Sequence, residues 1–216
     1  GVHFGHKTSR WHPKMAPYIH SKRQETHIID LVKTAEGLEA ALPFITKTVA
    51  SGKKVLFVGT KKQHKEIVKA AAESAGMPYV TERWVGGMLT NVATMGTQIK
   101  KLHDLEKRMA SGDLEKRYNK LEVQRFQEEI DVLNSKYDGI KNLEGQPGAV
   151  IVVDTINDAG AIREARNLKV PVVGVVDTNA DPTLVDYVIP GNDDAIKGTQ
   201  LLLDYFVAAV KEGAVK

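Results

Sequence analysis

Short apolar runs and longer amphipathic segments alternate along the chain, and the two periods separate strands from helices. Lys54-Val55-Leu56-Phe57-Val58-Gly59-Thr60 is an apolar run closed by glycine, which predicts a strand buried on both faces. Ala149–Asp154 and Val170–Asp177 have the same character, and both end in Val-Val-Asp-Thr. Met77–Thr81 and Val185–Ile189 predict shorter strands. Between these runs the apolar residues recur every three or four positions. Leu38, Leu42, Ile45 and Val49 mark one face of a helix from about Thr34 to Ser51, with Pro43 inside it and Gly52 as its stop. Further helices are expected over Lys61–Ala75, Ala159–Leu168 and Ala195 to about Lys211. The last has Ile196, Leu201, Leu202, Tyr205 and Val210 as buried candidates. The strand–helix–strand spacing of the two Val-Val-Asp-Thr units predicts a parallel crossover. The fold class is therefore α/β, a parallel sheet flanked by helices.

Two stretches fall outside that scheme. Residues 94–137 carry two helical stripes, Ile99, Leu102, Leu105 and Met109, then Leu121, Phe126, Ile130, Leu133 and Tyr137, interrupted at Ser111-Gly112-Asp113. They predict an inserted α-helical hairpin, a coiled coil zipped on its own seam, between the core segments 1–93 and 138–216. Residues 1–24 predict an irregular arm, because Pro13 and Pro17 forbid a continuous helix. A small hairpin, Tyr18–His20 with His27–Ile29, is expected to follow it around a polar turn at Ser21–Glu25. Arg83-Trp84-Val85-Gly86-Gly87-Met88-Leu89-Thr90-Asn91 joins the first strands to the insert. Its glycine pair permits backbone shapes closed to other residues, and Thr90 or Asn91 suits a helix cap.

Charge changes the picture more than composition does. The 216 residues carry a net charge of +3, but residues 1–149 hold 24 Lys/Arg against 17 Asp/Glu, and residues 150–216 hold 6 against 10. Residues 1–24 contain Lys7, Arg10, Lys14, Lys22 and Arg23 and no acid. Phe4, Trp11 and Tyr18 alternate with these cations, a composition that suits phosphate neutralisation and base stacking. No run is apolar enough to span a membrane, and no secretory signal is visible. Cysteine is absent, which excludes disulfides and thiolate metal sites and fits a cytosolic protein. The lack of an initiating Met predicts native residues before Gly1.

Other chemistries find less support in the residues. Five of the seven histidines lie within residues 1–27, yet His3-x2-His6-x5-His12 matches no ligand spacing. Gly59-Thr60-Lys61-Lys62 opens a helix as a phosphate turn does, but it lacks the first glycine of a P-loop, and no G-x-G-x-x-G exists. Asp177-Thr178-Asn179-Ala180-Asp181-Pro182 starts like a calcium loop and fails at Pro182 and Val188. Asp154 and Asp177 are expected side by side at strand carboxyl ends, where they either cap the following loops or hold a hard cation; capping is favoured. A nucleotide-binding or enzymatic α/β protein is the alternative reading, but no nucleophile–base pair supports it and fold gives no licence for it. A protein-only scaffold acting through the hairpin is a third, and the basic–aromatic arm argues against it.

Six ordered motifs then carry a resemblance over essentially the whole chain: Gly1-Val2-His3-Phe4-Gly5-His6, Trp11-His12-Pro13-Lys14-Met15, Leu56-Phe57-Val58-Gly59-Thr60-Lys61, Arg83–Asn91, Val176–Pro182 and Ile189-Pro190-Gly191-Asn192-Asp193-Asp194-Ala195-Ile196. The sequence resembles the bacterial ribosomal protein S-two family of the small subunit. The resemblance implies a flavodoxin-like sheet with an inserted helical hairpin, a structural and non-catalytic role in translation, a cytoplasmic place on the ribosome, and binding to small-subunit rRNA. It also implies contact with other small-subunit proteins, including the large mRNA-binding protein S-one. The RNA-facing groups it implies are Lys7, Arg10, Trp11, Lys14, Lys22 and Arg23 of the arm, Lys61 and Lys62, and Arg83, Trp84, Gly86, Gly87, Thr90 and Asn91. Lys100 and Lys101 of the hairpin complete the set. No resident cofactor or metal is implied, with room left for Mg²⁺ bridging to rRNA.

Overall fold

In the computed structural model, which describes residues 1–215, the first residues are more ordered than an irregular arm. Strands β1 (Phe4–Lys7), β2 (Ile19–Arg23) and β3 (Thr26–Ile29) form an antiparallel sheet in the order β1-β3-β2. Pro13 and Pro17 lie in a 3-10 turn, Pro13–Tyr18, capped by the His12 side chain. The expected hairpin forms, but it is longer. Ser21, Lys22 and Arg23 pair within it, and only Gln24 and Glu25 turn, both in the left-handed region at φ 47° and 60°. Consecutive left-handed residues match the twist of a two-residue hairpin.

Helix α1 (Leu31–Ala50) begins three residues earlier than expected, because the Asp30 side chain caps the Val32 amide, and it runs unbroken through Pro43. Then follow β4 (Val55–Val58), α2 (Lys65–Ala75) and β5 (Tyr79–Val80). The first residues assigned to the second helix, Lys61–His64, are a turn instead. The insert comprises α3 (Val92–Ala110), α4 (Asp113–Arg117) and α5 (Lys120–Tyr137). The chain closes with β6 (Ala149–Val152), α6 (Ala159–Asn167), β7 (Val172–Val176), β8 (Tyr187–Pro190) and α7 (Ile196–Val215).

The second sheet is wholly parallel, in the order β5-β4-β6-β7-β8. Renumbered within itself it reads 2-1-3-4-5, the flavodoxin-like order. Its side chains alternate between two cores. Val55, Phe57, Ala149, Ile151, Val173 and Val175 face α1, α2 and α7, while Leu56, Val58, Val150, Val152, Val172 and Val176 face the opposite way. Each of these Val, Leu, Ile and Phe side chains, fully removed from water, contributes about 1.5–3 kcal/mol before entropy is counted. Burial on both faces is why these strands are continuous apolar runs.

The insert does not stand apart from that second core. Leu102, Leu105, Ile130, Leu133 and Tyr137 belong to the same buried cluster as Val58, Val150 and Ile162. Lys101 pairs with Glu129, and Asn134 donates to Glu106, so α3 and α5 also touch each other. The apolar stripes meet each other along α3 and α5, as the seam of a hairpin does, and their buried residues are continuous with the second core.

Candidate nucleic-acid interface

The reversal of strand order between β4 and β6 makes the carboxyl-end rim of the sheet the place where loops splay apart. The Gly59–His64 and Val153–Asp158 loops meet there. Thr60 donates from its hydroxyl to Asp158 Oδ1 at 2.6 Å and from its amide to Oδ2 at 3.2 Å. Asn157 Nδ2 donates to the same hydroxyl oxygen at 2.6 Å. Lys61 reaches inward. Its Nζ lies 3.2 Å from Asp154, 3.1 Å from Asp193 and 2.7 Å from Asp194. Asp154 Oδ1 also accepts from the Ile156 and Asn157 amides, the capping role favoured for it. Asp177 Oδ1 accepts from the Thr178 amide, and its Oδ2 sits 3.2 Å from His6 Nδ1.

Burial sets the protonation of this cluster. It pushes Asp193 up to about 7, with the Asp154 and Asp177 charges adding to it and Lys61 opposing. Burial likewise lifts Asp158 to about 6 against its bonds from Thr60. Burial works against the Lys61 charge too, but the bonds to Asp194 and Asp193 outweigh it and hold the ammonium well above its ordinary value. His64 is fully buried, with Nε2 2.6 Å from the Asp193 carbonyl oxygen, and desolvation keeps its pKa low. Among the described residues no group of three or more His, Asp or Glu is disposed to hold a metal ion. An ammonium already occupies the centre of the acids.

The N-terminal sheet is docked on this rim. The His6 amide donates to Thr178 Oγ1 and the His12 amide to the Thr178 carbonyl, each at 2.7 Å, and the Asn192 amide donates to the Val2 carbonyl at 2.9 Å. Lys14 Nζ lies 2.8 Å from Asp181 and 3.0 Å from Thr183 Oγ1. That bond and the Thr183 donors hold the Asp181 carboxyl far below its ordinary value. Trp11 packs its ring 4.9 Å from that of His27 and keeps an exposed side.

The Gly-Gly turn is built around one carboxylate. Glu164 of α6 accepts from the Trp84 indole at 3.0 Å, the Gly87 amide at 2.7 Å, the Leu89 amide at 3.0 Å, and the amide and hydroxyl of Thr90 at 3.2 Å. Burial would raise its pKa, but these donors lower it. Gly87 has φ +88°, the left-handed geometry that lets its amide point at Glu164. Trp84 is half-buried against the core and lies over Gly160, so its face is not a free stacking platform. Asn91 caps α3 through Thr94.

The residues expected to face RNA thus divide. Lys14, Lys61 and Lys101 spend their charge on carboxylates, and Trp84, Gly87 and Thr90 serve Glu164. Lys7, Arg10, Lys22, Arg23, Lys62, Arg83 and Lys100 are exposed, and no carboxylate pairs with them among the described residues. Trp11 and Gly86 are exposed as well. The arm, the Lys62 turn and the Gly-Gly turn come together at the rim; Lys100 lies on α3, outside it. Sequence reasoning missed Glu164, Asp193 and Asp194 as organisers. Their partners are distant in the chain, and only the Asp193-Asp194 pair in a turn hinted at a role.

A family model described as Ribosomal protein S2 matches residues 1–213. The chain belongs to the ribosomal protein S2 family. It is 50% identical over 213 residues to the small ribosomal subunit protein uS2 of Roseiflexus sp. (strain RS-1), covering 99% of this chain and 81% of the relative. It is 49% identical to the uS2 of Chloroflexus aggregans, with 99% and 89% covered. Over 203 residues it is 50% identical to the uS2 of Thermus thermophilus, with 94% and 79% covered. S2-family membership makes this a structural, non-enzymatic protein of the small ribosomal subunit. No helix among the described residues is long and apolar enough to cross a membrane.

Proposed function

We propose that the chain works by binding small-subunit rRNA through the carboxyl-end rim of its sheet and the N-terminal sheet docked upon it. The observation that carries this reading is the set of exposed cations without carboxylate partners on those segments, Lys7, Arg10, Lys22, Arg23, Lys62 and Arg83. An unpaired cation releases a counterion when it meets phosphate, whereas one already paired with a carboxylate gains much less. Trp11, exposed beside them, supplies a ring for an unstacked base. Lys14 and Lys61 act in this reading as internal ties that shape the rim.

No resident cofactor is needed; where Mg²⁺ enters, it bridges a rim carboxylate to a phosphate. The bound chain sits on the cytoplasmic ribosome beside other small-subunit proteins and helps anchor protein S-one. The experiment is sedimentation of a lysate through sucrose at low and high salt, comparing wild type with Arg83→Ala. Wild type should travel with the small subunit and be stripped by salt. Arg83→Ala should enter subunits less well while keeping the wild-type circular dichroism spectrum. Co-sedimentation that ignores salt would sink the phosphate reading. Subunits depleted of this chain should lack S-one; full S-one occupancy would remove the anchoring role.

A further inference from the structure

Helix α6 presents a second cationic face that none of the expected groups includes. Its inward residues, Ala161, Ile162 and Ala165, are buried in the core, and Glu164 is bound to the Gly-Gly turn. Arg163 and Arg166, one turn apart, project outward and are exposed. Arg163 has no hydrogen bond or ion pair among the described residues, and Arg166 makes one long bond, 3.4 Å, to the Thr183 carbonyl. Both line a groove of about 510 Å³ with Ala159, Ile162, Asn167 and Leu184. No carboxylate lines it. Asp158, the neighbouring acid at the helix start, is turned inward to Thr60.

The groove lies between two of the groups already described. On one side α6 carries the Gly-Gly turn, through Glu164 and the Trp84 ring over Gly160. On the other it meets the Pro182–Leu184 turn, where Thr183 takes both Arg166 and Lys14 of the arm. An anionic strand passing from Arg83 to the arm would cross this face. Leu184, exposed at the edge of the groove, gives a base an apolar surface on which to lie. Two planar guanidiniums offer forked bonds to phosphate and a surface for stacking.

We infer that the Arg163–Arg166 groove binds a single-stranded segment of rRNA, phosphates on the two guanidiniums and an unstacked base against Leu184. This rests on the rRNA-binding reading and adds a site to it. The test uses the full chain and small-subunit rRNA. Affinity is measured from about 50 to 200 mM salt for wild type, Arg163→Gln/Arg166→Gln, Arg163→Lys/Arg166→Lys and a matched control, Lys47→Gln/Lys53→Gln, on the far side of the sheet. Two lost single-strand phosphate contacts should lower the slope of log affinity against log salt by about 1.4 in the glutamine variant. The lysine variant should restore the slope but bind more weakly than wild type, and the control should keep the wild-type slope. Thermal melts matched to wild type confirm that each variant is folded.

A glutamine variant with wild-type slope and affinity overturns the site while leaving the broader reading intact. So does one that binds RNA normally but loses a neighbouring protein from reconstituted subunits, since the groove would then be a protein contact. Wild type without salt-dependent binding would overturn the broader reading and this site with it.

Discussion

Removing the carboxylate at position 164 should destabilise a turn that looks, in sequence, as if glycine alone shapes it. In Glu164→Ala the Gly87 and Leu89 amides and the Trp84 indole lose their acceptor in a half-buried setting, while Thr90 is exposed and can turn to water. A hydrogen bond to a charged acceptor contributes about 1.5–3 kcal/mol, and partial access of water reduces that. Three such donors at roughly 1 kcal/mol each give a loss of about 3 kcal/mol. For a chain of this size that lowers the melting temperature by about 6–12 °C. Glu164→Gln should recover about half, since its oxygen still accepts but its NH₂ faces other donors. The folded carboxyl is held below its ordinary 4.5, so its stabilisation is complete above that pH and fades as pH falls through the folded value. Glutamine should therefore blunt acid unfolding as well. The assay is calorimetry from pH 3 to 7 with rRNA binding in parallel. An alanine variant melting within about 2 °C of wild type would show that the five-donor nest is not what holds the turn.

Further outcomes test other parts. Asp193 is raised to about 7 in the fold, so the native state binds a proton that the unfolded chain releases near 4, and its contribution to stability falls as pH rises from about 4 to 7. Asp193→Asn should flatten that fall, read from urea midpoints across the range; an unchanged slope refutes the assignment. Gly37→Ala gains about 1 kcal/mol of helix propensity, yet its Cβ would sit 2.3 Å from the Val188 carbonyl oxygen, so a net loss of about 1–2 kcal/mol is expected by denaturation. A stabilised variant would mean that α1 and β8 can part at no cost. Lys101→Gln, which removes an exposed pair with Glu129, should change stability by less than about 1 kcal/mol.

The core was legible because burial on both faces leaves its mark residue by residue. Val55–Val58, Ala149–Val152 and Val172–Val176 admit no polar side chain, and amphipathic helices lie between them in the chain. The N-terminal sheet was legible only in part: the β2–β3 hairpin was expected and β1 was not. β1 is four residues long, mostly polar, and pairs with β3 some twenty residues on, so no local period reveals it. Its half-exposed histidines read as an arm because pairing, not burial, orders them. The insert was legible as two apolar stripes that meet between α3 and α5; the stripes did not tell that their buried residues run on into the core of the sheet. Lys61 was visible as a cation, but not that Asp193 would return 132 residues later to meet it.

That last pairing bears on why a fold with a ready crevice is used as a scaffold. The switch point of this sheet is an open crevice of about 190 Å³ lined by His6, Lys61, Asp154, Ile156, Asn157, Asn179 and Asp193. In a nucleotide-binding relative of the fold such a place offers free amides and a net positive field to phosphate. Here the Asp154 carboxylate takes the loop amides, and three acids surround the one lysine. The crevice is therefore neutral to acidic and repels phosphate. The cations left over stand outside it, on the N-terminal sheet, the Lys62 turn, Arg83 and α6. Net charge, at +3, conceals this division, because it counts bound and unbound lysines alike. The salt dependence of RNA binding counts only the unbound ones. It should follow the unpaired cations on the rim and α6, and substituting Lys61 should disturb folding of the rim more than the slope.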